Sequence, residues 1–343
     1  MSANNFASRV LRWQHAHGRS GLPWQGTRDP YRVWLSEIML QQTQVSTVLG
    51  YYPRFLVRFP DVRVLAAADL DSVLALWSGL GYYSRARNLH RCAQEVMALH
   101  GGTFPRSAQL LQALPGIGRS TAAAIAAFCF GERTAILDGN VKRVLTRVLG
   151  FGADLAVAGN ERKLWDQATL LLPQRAGAMP GYTQGLMDLG ATVCLPRDPG
   201  CLICPARGLC VAQHRGTQGE YPVKSRRLKR SAQSLWLLRA QAHDGSIWLE
   251  KRPIPGVWGG LYCLPVFETR AALEAALPVR ARPGLKNDKP FVHVLTHKDL
   301  HLHPVGVRLG AASLPRFDGA WFAAGQWPEL GLPAPIRKLL AGA

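Results

Sequence analysis

The sequence predicts a mainly α fold followed by a smaller α+β domain, and three observations carry that reading. From about Val33 to Leu189, apolar residues recur three and four positions apart, as at Val141, Val144, Leu145 and Val148, between Pro and Gly turns. Four of the seven cysteines then crowd between Cys194 and Cys210. Beyond Ser231 the period shortens to that of strands: Leu235-Trp-Leu-Leu238 and Ile247-Trp-Leu249 flank the turn signal Asp244-Gly245, the pattern of a β-hairpin.

A chain of 343 residues can bury two cores, and the composition shift divides it into a helical domain 1–223, a basic linker 224–233 and a second domain 234–343. The linker contains Lys224-Ser-Arg-Arg-Leu-Lys-Arg230, five cations in seven residues, which reads as an exposed tether; solvation alone and direct phosphate contact both explain it. In the second domain, His293 to Pro304 nearly alternates, and Ile336 to Leu340 closes the chain as a short helix. There is no internal repeat.

Lys and Arg number 41 against 22 Asp and Glu, a formal charge of +19, which calls for a polyanionic partner, nucleic acid before an anionic membrane surface. No stretch reaches the roughly 18 apolar residues of a membrane span, and residues 1–20 lack the apolar core of a signal peptide. A cytoplasmic protein is expected. The odd count of cysteines argues against a disulfide framework, and in a reducing compartment the crowding of four means metal before disulfide, with Cys92, Cys129 and Cys263 as buried small hydrophobes.

The crowded cysteines read Cys194-x6-Cys201-x2-Cys204-x5-Cys210. Four thiolates in such a loop can wrap a tetrahedral zinc or a [4Fe–4S] cubane. Only Cys201 and Cys204 make a CxxC pair, and the longer outer spacings favour the cubane; zinc and a metal-free loop stay open on spacing alone. Leu114-Pro-Gly-Ile-Gly118 opens directly into Arg119-Ser-Thr-Ala-Ala-Ala-Ile125, so Gly116 and Gly118 form the turn of a helix-hairpin-helix at about 107–130. Such a turn aims backbone N–H groups at a phosphate without reading sequence, although an ordinary Pro-Gly connection has the same signature. Gly79-Leu-Gly81 lacks the third glycine of a dinucleotide fingerprint and no Walker A motif occurs, which argues against a nucleotide cofactor.

Two carboxylates stand out. Glu37 shares a helical face with Val33 and Leu40, where burial would raise its pKa enough to make it a general acid. Asp138 immediately precedes the helix that begins near Val141, a helix cap if it acts alone. Together they match the acid and the anion that glycosidic cleavage through an oxocarbenium-like state requires.

Taken in order, these motifs resemble one family over nearly the whole chain: the helix-hairpin-helix DNA glycosylases of the endonuclease III superfamily, and within it the MutY branch. The resemblance rests on SEIMLQQTQV at 36–45, GLGYYSRARN at 79–88, LPGIGRST at 114–121, LDGN at 137–140, the cysteine loop and VWGGLYCLP at 257–265. It implies a mainly α helix-hairpin-helix glycosylase fold with a [4Fe–4S] cluster held by Cys194, Cys201, Cys204 and Cys210, plus a C-terminal α+β domain similar to MutT (Nudix). It further implies a monomer acting in the cytoplasm, at the nucleoid, on double-stranded DNA with adenine mispaired with 8-oxoguanine or guanine. In that mechanism the adenine is flipped out, Glu37 protonates N7, and Asp138 stabilises the sugar cation or bonds to it transiently, with Asn140 holding the catalytic groups. Trp24 and Gln184 match pocket positions, Gln42 and Tyr82 match residues that enter the DNA stack, and Arg197 and Arg207 of the cysteine loop would face phosphates.

Ser120 occupies the position where the bifunctional branch carries a nucleophilic lysine, so base hydrolysis without strand cleavage is implied. Lys142, close to Asp138, receives no catalytic role. The second domain lacks the acidic Mg²⁺ box of the Nudix hydrolases and would instead check the oxidised guanine through Leu295-Thr-His297. There the family motif reads Phe-Ser-His, so Thr296 keeps the hydroxyl and His297 is retained while the aromatic is lost. A DNA-binding scaffold without activity would explain the charge, the hairpin and the loop, but it would not call for Glu37 and Asp138.

Overall fold

A computed structural model describes residues 3–225, 229–310 and 318–342, so 226–228 of the basic linker lie outside the described residues. The chain divides into two compact units, residues 1–66 with 88–227, and residues 67–87 with 228–343.

The first unit is helical. Its elements are α1 (Ala3–His17), α2 (Pro30–Leu40), α3 (Val45–Arg58), α4 (Val62–Ala67, ending at the unit's edge), most of α6 (Ser84–His100), α7 (Ala108–Gln112), α8 (Arg119–Ile125), α9 (Gly139–Leu149), α10 (Ala158–Leu170), α11 (Met179–Thr192) and α12 (Val211–Arg215). Helix α5 (Leu70–Trp77) belongs to the other unit. The helical segments expected from 33 to 189, separated by turns, are present, with one departure: α8 widens into a π segment, Ala126–Phe130, stopped by Gly131 at φ 68°, and 131–138 is irregular. A π segment shifts side-chain directions without breaking the helix, and here it turns Phe128 into the cleft described below.

Helix α9 shows how local sequence fixes its own ends. Asp138, in extended conformation, caps it by accepting the Val141 N–H at 2.8 Å. Gly150 ends it at φ 62°; a Cβ there would lie 2.5 Å from Val211 Cγ1, so only glycine fits. Its apolar stripe of Val141, Val144, Leu145 and Val148 is buried against Phe6, Val10, Leu164, Leu186 and Leu189, each such burial contributing about 1.5–3 kcal/mol.

The second unit is built on an eight-stranded sheet of β1 (Ser231–Gln241), β2 (Ile247–Lys251), β3 (Tyr262–Cys263), β4 (Val266–Phe267), β5 (Lys286–Asn287), β6 (Phe291–Val294), β7 (Lys298–Arg308) and β8 (Gly319–Phe322). The main path runs β3-β2-β1-β7-β5, with β4 on β1, β6 on β7 and β8 on β2. Strands β1 and β7 are parallel along their full length, from Ser231 opposite Lys298 to Gln241 opposite Arg308. The expected β1–β2 hairpin forms: Gly245 takes φ 86° and Asp244 accepts the Ser246 N–H. The alternating stretch 293–304 is not one strand but the reversal between β6 and β7, with Val294 opposite Asp299 and the Leu295 N–H on the Lys298 carbonyl at 2.8 Å. Paired residues share a face, so across this two-residue loop the inward-facing positions shift from odd, Phe291 and His293, to even, Leu300 and Leu302. Helix α13 (Arg270–Ala275) and helix α14 (Ala334–Ala341) complete the unit; Leu273 packs into a core with Leu238, Trp248, Val305 and Val307.

Segment 67–87 is bound into this second unit by named contacts. Lys251 Nζ meets the Asp71 carboxylate at 2.6 Å, Ser78 Oγ donates to the Leu332 carbonyl at 2.6 Å, and Arg87 Nη1 donates to the Gly259 carbonyl at 2.7 Å. Among the expected buried cysteines, Cys92 and Cys263 are buried, whereas Cys129 on the π segment is only partly so.

Candidate active site

A large cleft opens in the first unit, and seven of the residues singled out from the sequence line it: Trp24, Glu37, Gln42, Ser120, Asp138, Asn140 and Gln184. Helix α2 supplies Glu37. It starts sharply, because Asp29 accepts the Tyr31 N–H at 2.9 Å and Pro30 presets the first turn. Val33, Glu37 and Leu40 then all face the cleft, as their spacing requires. Glu37 is half-buried in the cleft lining. Burial, with the nearby Asp138 charge adding to it, pushes its pKa up to about 8. Asp138 is also raised by burial, opposed by the Val141 and Asn140 backbone N–H groups and by Arg143 and Lys142. The pair is thus arranged so that one carboxyl keeps a proton near neutrality while the other has the cations and N–H groups that favour its anion.

Asn140 is held from the side. Its Oδ1 accepts from Arg143 Nη2 at 2.9 Å, and the same guanidinium donates to the carbonyls of Gly190 at 2.6 Å and Cys194 at 2.8 Å. Gly190 of α11 permits the approach, since a Cβ there would lie 2.7 Å from Asn140 Cβ. Ser120 Oγ accepts the Leu137 N–H at 3.0 Å, so its hydroxyl braces the loop that carries Asp138. Trp24 is buried edge-on to Tyr52, and exposed Gln42 sits at φ 55° just after α2 ends. Lys142 is paired with Glu161 at 2.7 Å and does not line the cleft.

Gly116 and Gly118 lie exposed in the turn between α7 and α8, outside the cleft. Gly116 has φ 77° and no room for a Cβ, which would lie 2.8 Å from that of Asn88; Gly118 is the N-cap of α8. Tyr82, Thr296 and His297 belong to the second unit. Thr296 and His297 are the two exposed residues at the tip of the β6–β7 reversal, and Thr296 Oγ1 is 2.5 Å from the Tyr82 hydroxyl. Tyr82 follows Gly79 and Gly81, at φ 105° and 70°, and itself takes φ 48°, with the Arg85 guanidinium stacked on its ring at 5.4 Å.

Cys194, Cys201, Cys204 and Cys210 line a second cavity, at the far end of α9. Burial pushes Cys204 up to about 12 and also raises Cys210, and the neighbouring thiols add to both shifts. Polar groups converge on the sulfurs: Arg147 Nη1 on Cys194 Sγ at 3.4 Å, and Gln218 Nε2 on Cys201 Sγ at 3.7 Å. Among the described residues, no three His, Cys, Asp or Glu side chains gather closely enough to hold a single metal ion. Four cysteine thiols lining one cavity, two of them met by N–H donors, are a donor set whose chemistry suits a thiolate-bound metal group.

Sequence reading missed Arg143, Arg147 and Asp188. Asp188 on α11 is fully buried and paired with Arg19 at 2.7 Å. Apart from the Arg143–Asn140 and Asp188–Gln184 bonds, the partners cited for them lie 47 or more positions away, where no local signal points.

Residues 35–167 match the model of the HhH-GPD superfamily of base excision DNA repair proteins, and 235–342 that of a NUDIX domain. The chain is 36% identical, over 98% of its length and 96% of the relative's, to the adenine DNA glycosylase of Buchnera aphidicola subsp. Acyrthosiphon pisum. It is 45% identical to the adenine DNA glycosylase of Mus musculus over 63% of this chain and 43% of that one. Among solved structures, a thermostable thymine-DNA glycosylase is similar with TM-score 0.57 at 31% identity, over 62% of this chain and 97% of its own. A non-covalent endonuclease III–DNA complex shares the fold, with TM-score 0.51 at 20% identity over 62% and 95% of the two chains.

Proposed function

The chain belongs to the adenine DNA glycosylases, base excision repair enzymes that hydrolyse an N-glycosidic bond, and from that membership we propose that it removes adenine mispaired with 8-oxoguanine or guanine and stops at base hydrolysis. The observation that carries this reading is the pairing of Glu37 and Asp138 in one cleft, with Glu37 raised to about 8.

Glu37 protonates N7 of the flipped adenine, which makes the base a neutral leaving group. Asp138 then stabilises the positive charge that builds at C1′, by its field or by a transient bond, and water completes hydrolysis. Its orientation follows from its cap bond to Val141, and Asn140, fixed by Arg143, completes the loop. Trp24 and Gln184 line the space for the base, while Gln42 stands at the mouth of the same cleft. Ser120 is a brace without an amine, which supports a reaction that leaves an abasic site. The turn at Gly116 and Gly118, with Arg197 and Arg207, serves the phosphate backbone.

Tyr82, Thr296 and His297 form the surface assigned to the oxidised guanine, supported by the Tyr82–Thr296 hydrogen bond. Cys194, Cys201, Cys204 and Cys210 would hold a [4Fe–4S] cluster, whose contribution is structural: binding orders a loop rich in prolines and glycines.

Single-turnover cleavage of duplexes with one adenine opposite 8-oxoguanine, guanine or thymine tests the reading. Strand breaks that need hot alkali and arise only at the two mispairs are expected. Breaks without alkali would favour a lyase, and intact DNA held by a cluster-loaded protein would leave a scaffold.

A further inference from the structure

The cleft contains a device that decides which edge of a base it accepts. Asp188 has no solvent exposure and lies one helical turn after Gln184 on α11. Its carboxylate receives Arg19 Nε at 2.7 Å, the Arg19 backbone N–H at 3.1 Å and Gln184 Nε2 at 2.9 Å. The Asp188 oxygens accept in all three of these hydrogen bonds, so it is the NH₂ end of Gln184 that faces them. The carbonyl end of that amide is left for the cleft, which Gln184 lines. The neighbouring amide of Gln25 offers no competing choice, because its Nε2 is taken by the Arg19 carbonyl at 3.0 Å and its Oε1 by the Leu22 N–H at 3.2 Å.

We propose that Asp188 is a positioning residue that locks Gln184 as a hydrogen-bond acceptor toward the base, selecting a purine with an amino group at C6 over one with a carbonyl. The proposal rests on the adenine glycosylase reading of the same cleft. On its major-groove edge adenine presents the N7 acceptor beside an N6 donor, whereas guanine and hypoxanthine present two acceptors. A protonated Glu37 suits N7 in all three. The locked Gln184 carbonyl accepts from the amino group but repels a carbonyl, so the discrimination resides in Gln184 and its orientation in Asp188. Arg19 neutralises the buried carboxylate and ties the loop before α2 into the same arrangement.

Single-turnover rates of base release are to be measured with adenine and with hypoxanthine opposite 8-oxoguanine. For the unaltered chain, adenine is expected to be released faster by on the order of 10- to 100-fold, the effect of opposing one buried acceptor with another. Asp188→Asn, which can give or take a hydrogen bond, lets the Gln184 amide turn over, and the ratio should fall by about tenfold. Asp188→Asn/Gln184→Glu restores an acceptor-only group at 184 held by an amide donor, and the ratio should recover. A folded Asp188→Asn protein with the original ratio would overturn the proposal. Should Asp188→Asn not fold, Gln184→Met decides: it removes the acceptor at the rim of the cleft, and an undiminished ratio there overturns the proposal equally. Adenine release with no preference over hypoxanthine would overturn it while leaving the parent reading intact; no adenine release at all would remove the parent reading.

Discussion

Helix α9 carries a buried polar site at each end, and the two treat charge in opposite ways. At its N-terminal end, Asp138 and Glu37 share a cleft in which burial works against ionisation of both carboxyls. At its C-terminal end, Arg147 is 2% exposed, yet its guanidinium donates to the carbonyls of Gln218, Leu195 and Pro196 and to Cys194 Sγ. One end keeps a carboxyl under-compensated and hence reactive; the other matches the donors of a buried cation, which builds a rigid wall. Arg143, between them, touches both, through Asn140 and the Cys194 carbonyl. Chemistry and scaffolding are therefore separable by substitution.

The largest effect is expected at the cleft. Glu37→Gln should slow base release by roughly 10²- to 10⁴-fold, the usual contribution of a general acid, while duplex binding is retained. The unaltered enzyme should hold its rate below pH about 8 and lose about tenfold per unit above it, as Glu37 gives up its proton. Stability carries the same signature. The folded pKa lies above the ordinary value of 4.5, so the protonated group's contribution is fully present below about 4.5 and is lost as pH rises through about 8. Glu37→Gln should be more stable than the parent at pH 9 by thermal unfolding. A variant that lost neither activity nor this pH dependence would dissolve the contrast between the two ends of α9.

At the other end the expectation reverses. Arg147→Met removes one buried guanidinium that serves three part-buried carbonyls, at a cost of about 1–3 kcal/mol, so the melting temperature and the occupancy of the proposed cluster should both fall. The rate of base release per folded molecule should stay within about threefold, because Arg147 does not line the cleft. A collapse of that rate at unchanged melting temperature would show that the cysteine end takes part in the reaction.

This contrast also marks what the sequence could tell. Glu37, Asp138 and the cysteine spacing were legible because each signal is local: a helical face, a cap before an apolar stripe, four thiols in one loop. The charges that give those residues their character were not. Arg143 and Arg147 bond to atoms 47 and more positions along the chain, Arg19 reaches Asp188 across 169, and α9 reads on its own as an ordinary amphipathic helix. Segment 67–87 is the same lesson at larger scale. Its helical character was visible, but the partners that group it with 228–343 are Lys251, Gly259, Thr296 and Leu332.

The smallest effect is expected at the tip of the β6–β7 reversal. Thr296→Val keeps the shape of the side chain and the two-residue loop, whose backbone is fixed by the Leu295–Lys298 hydrogen bond, and removes only the hydroxyl 2.5 Å from that of Tyr82. Both groups are exposed, so water replaces most of what is lost, and a single such bond contributes about 0.5–1.5 kcal/mol. The preference for adenine opposite 8-oxoguanine over adenine opposite guanine should therefore drop about two- to tenfold in single-turnover rates, with the guanine rate itself unmoved. Tyr82→Phe, which deletes the other hydroxyl, should reproduce that drop, and the double variant should add little, since both substitutions break one bond. Independent, additive losses would mean that the two hydroxyls meet the DNA separately. Thr296 would then be making up for the missing aromatic at Leu295 through contacts of its own.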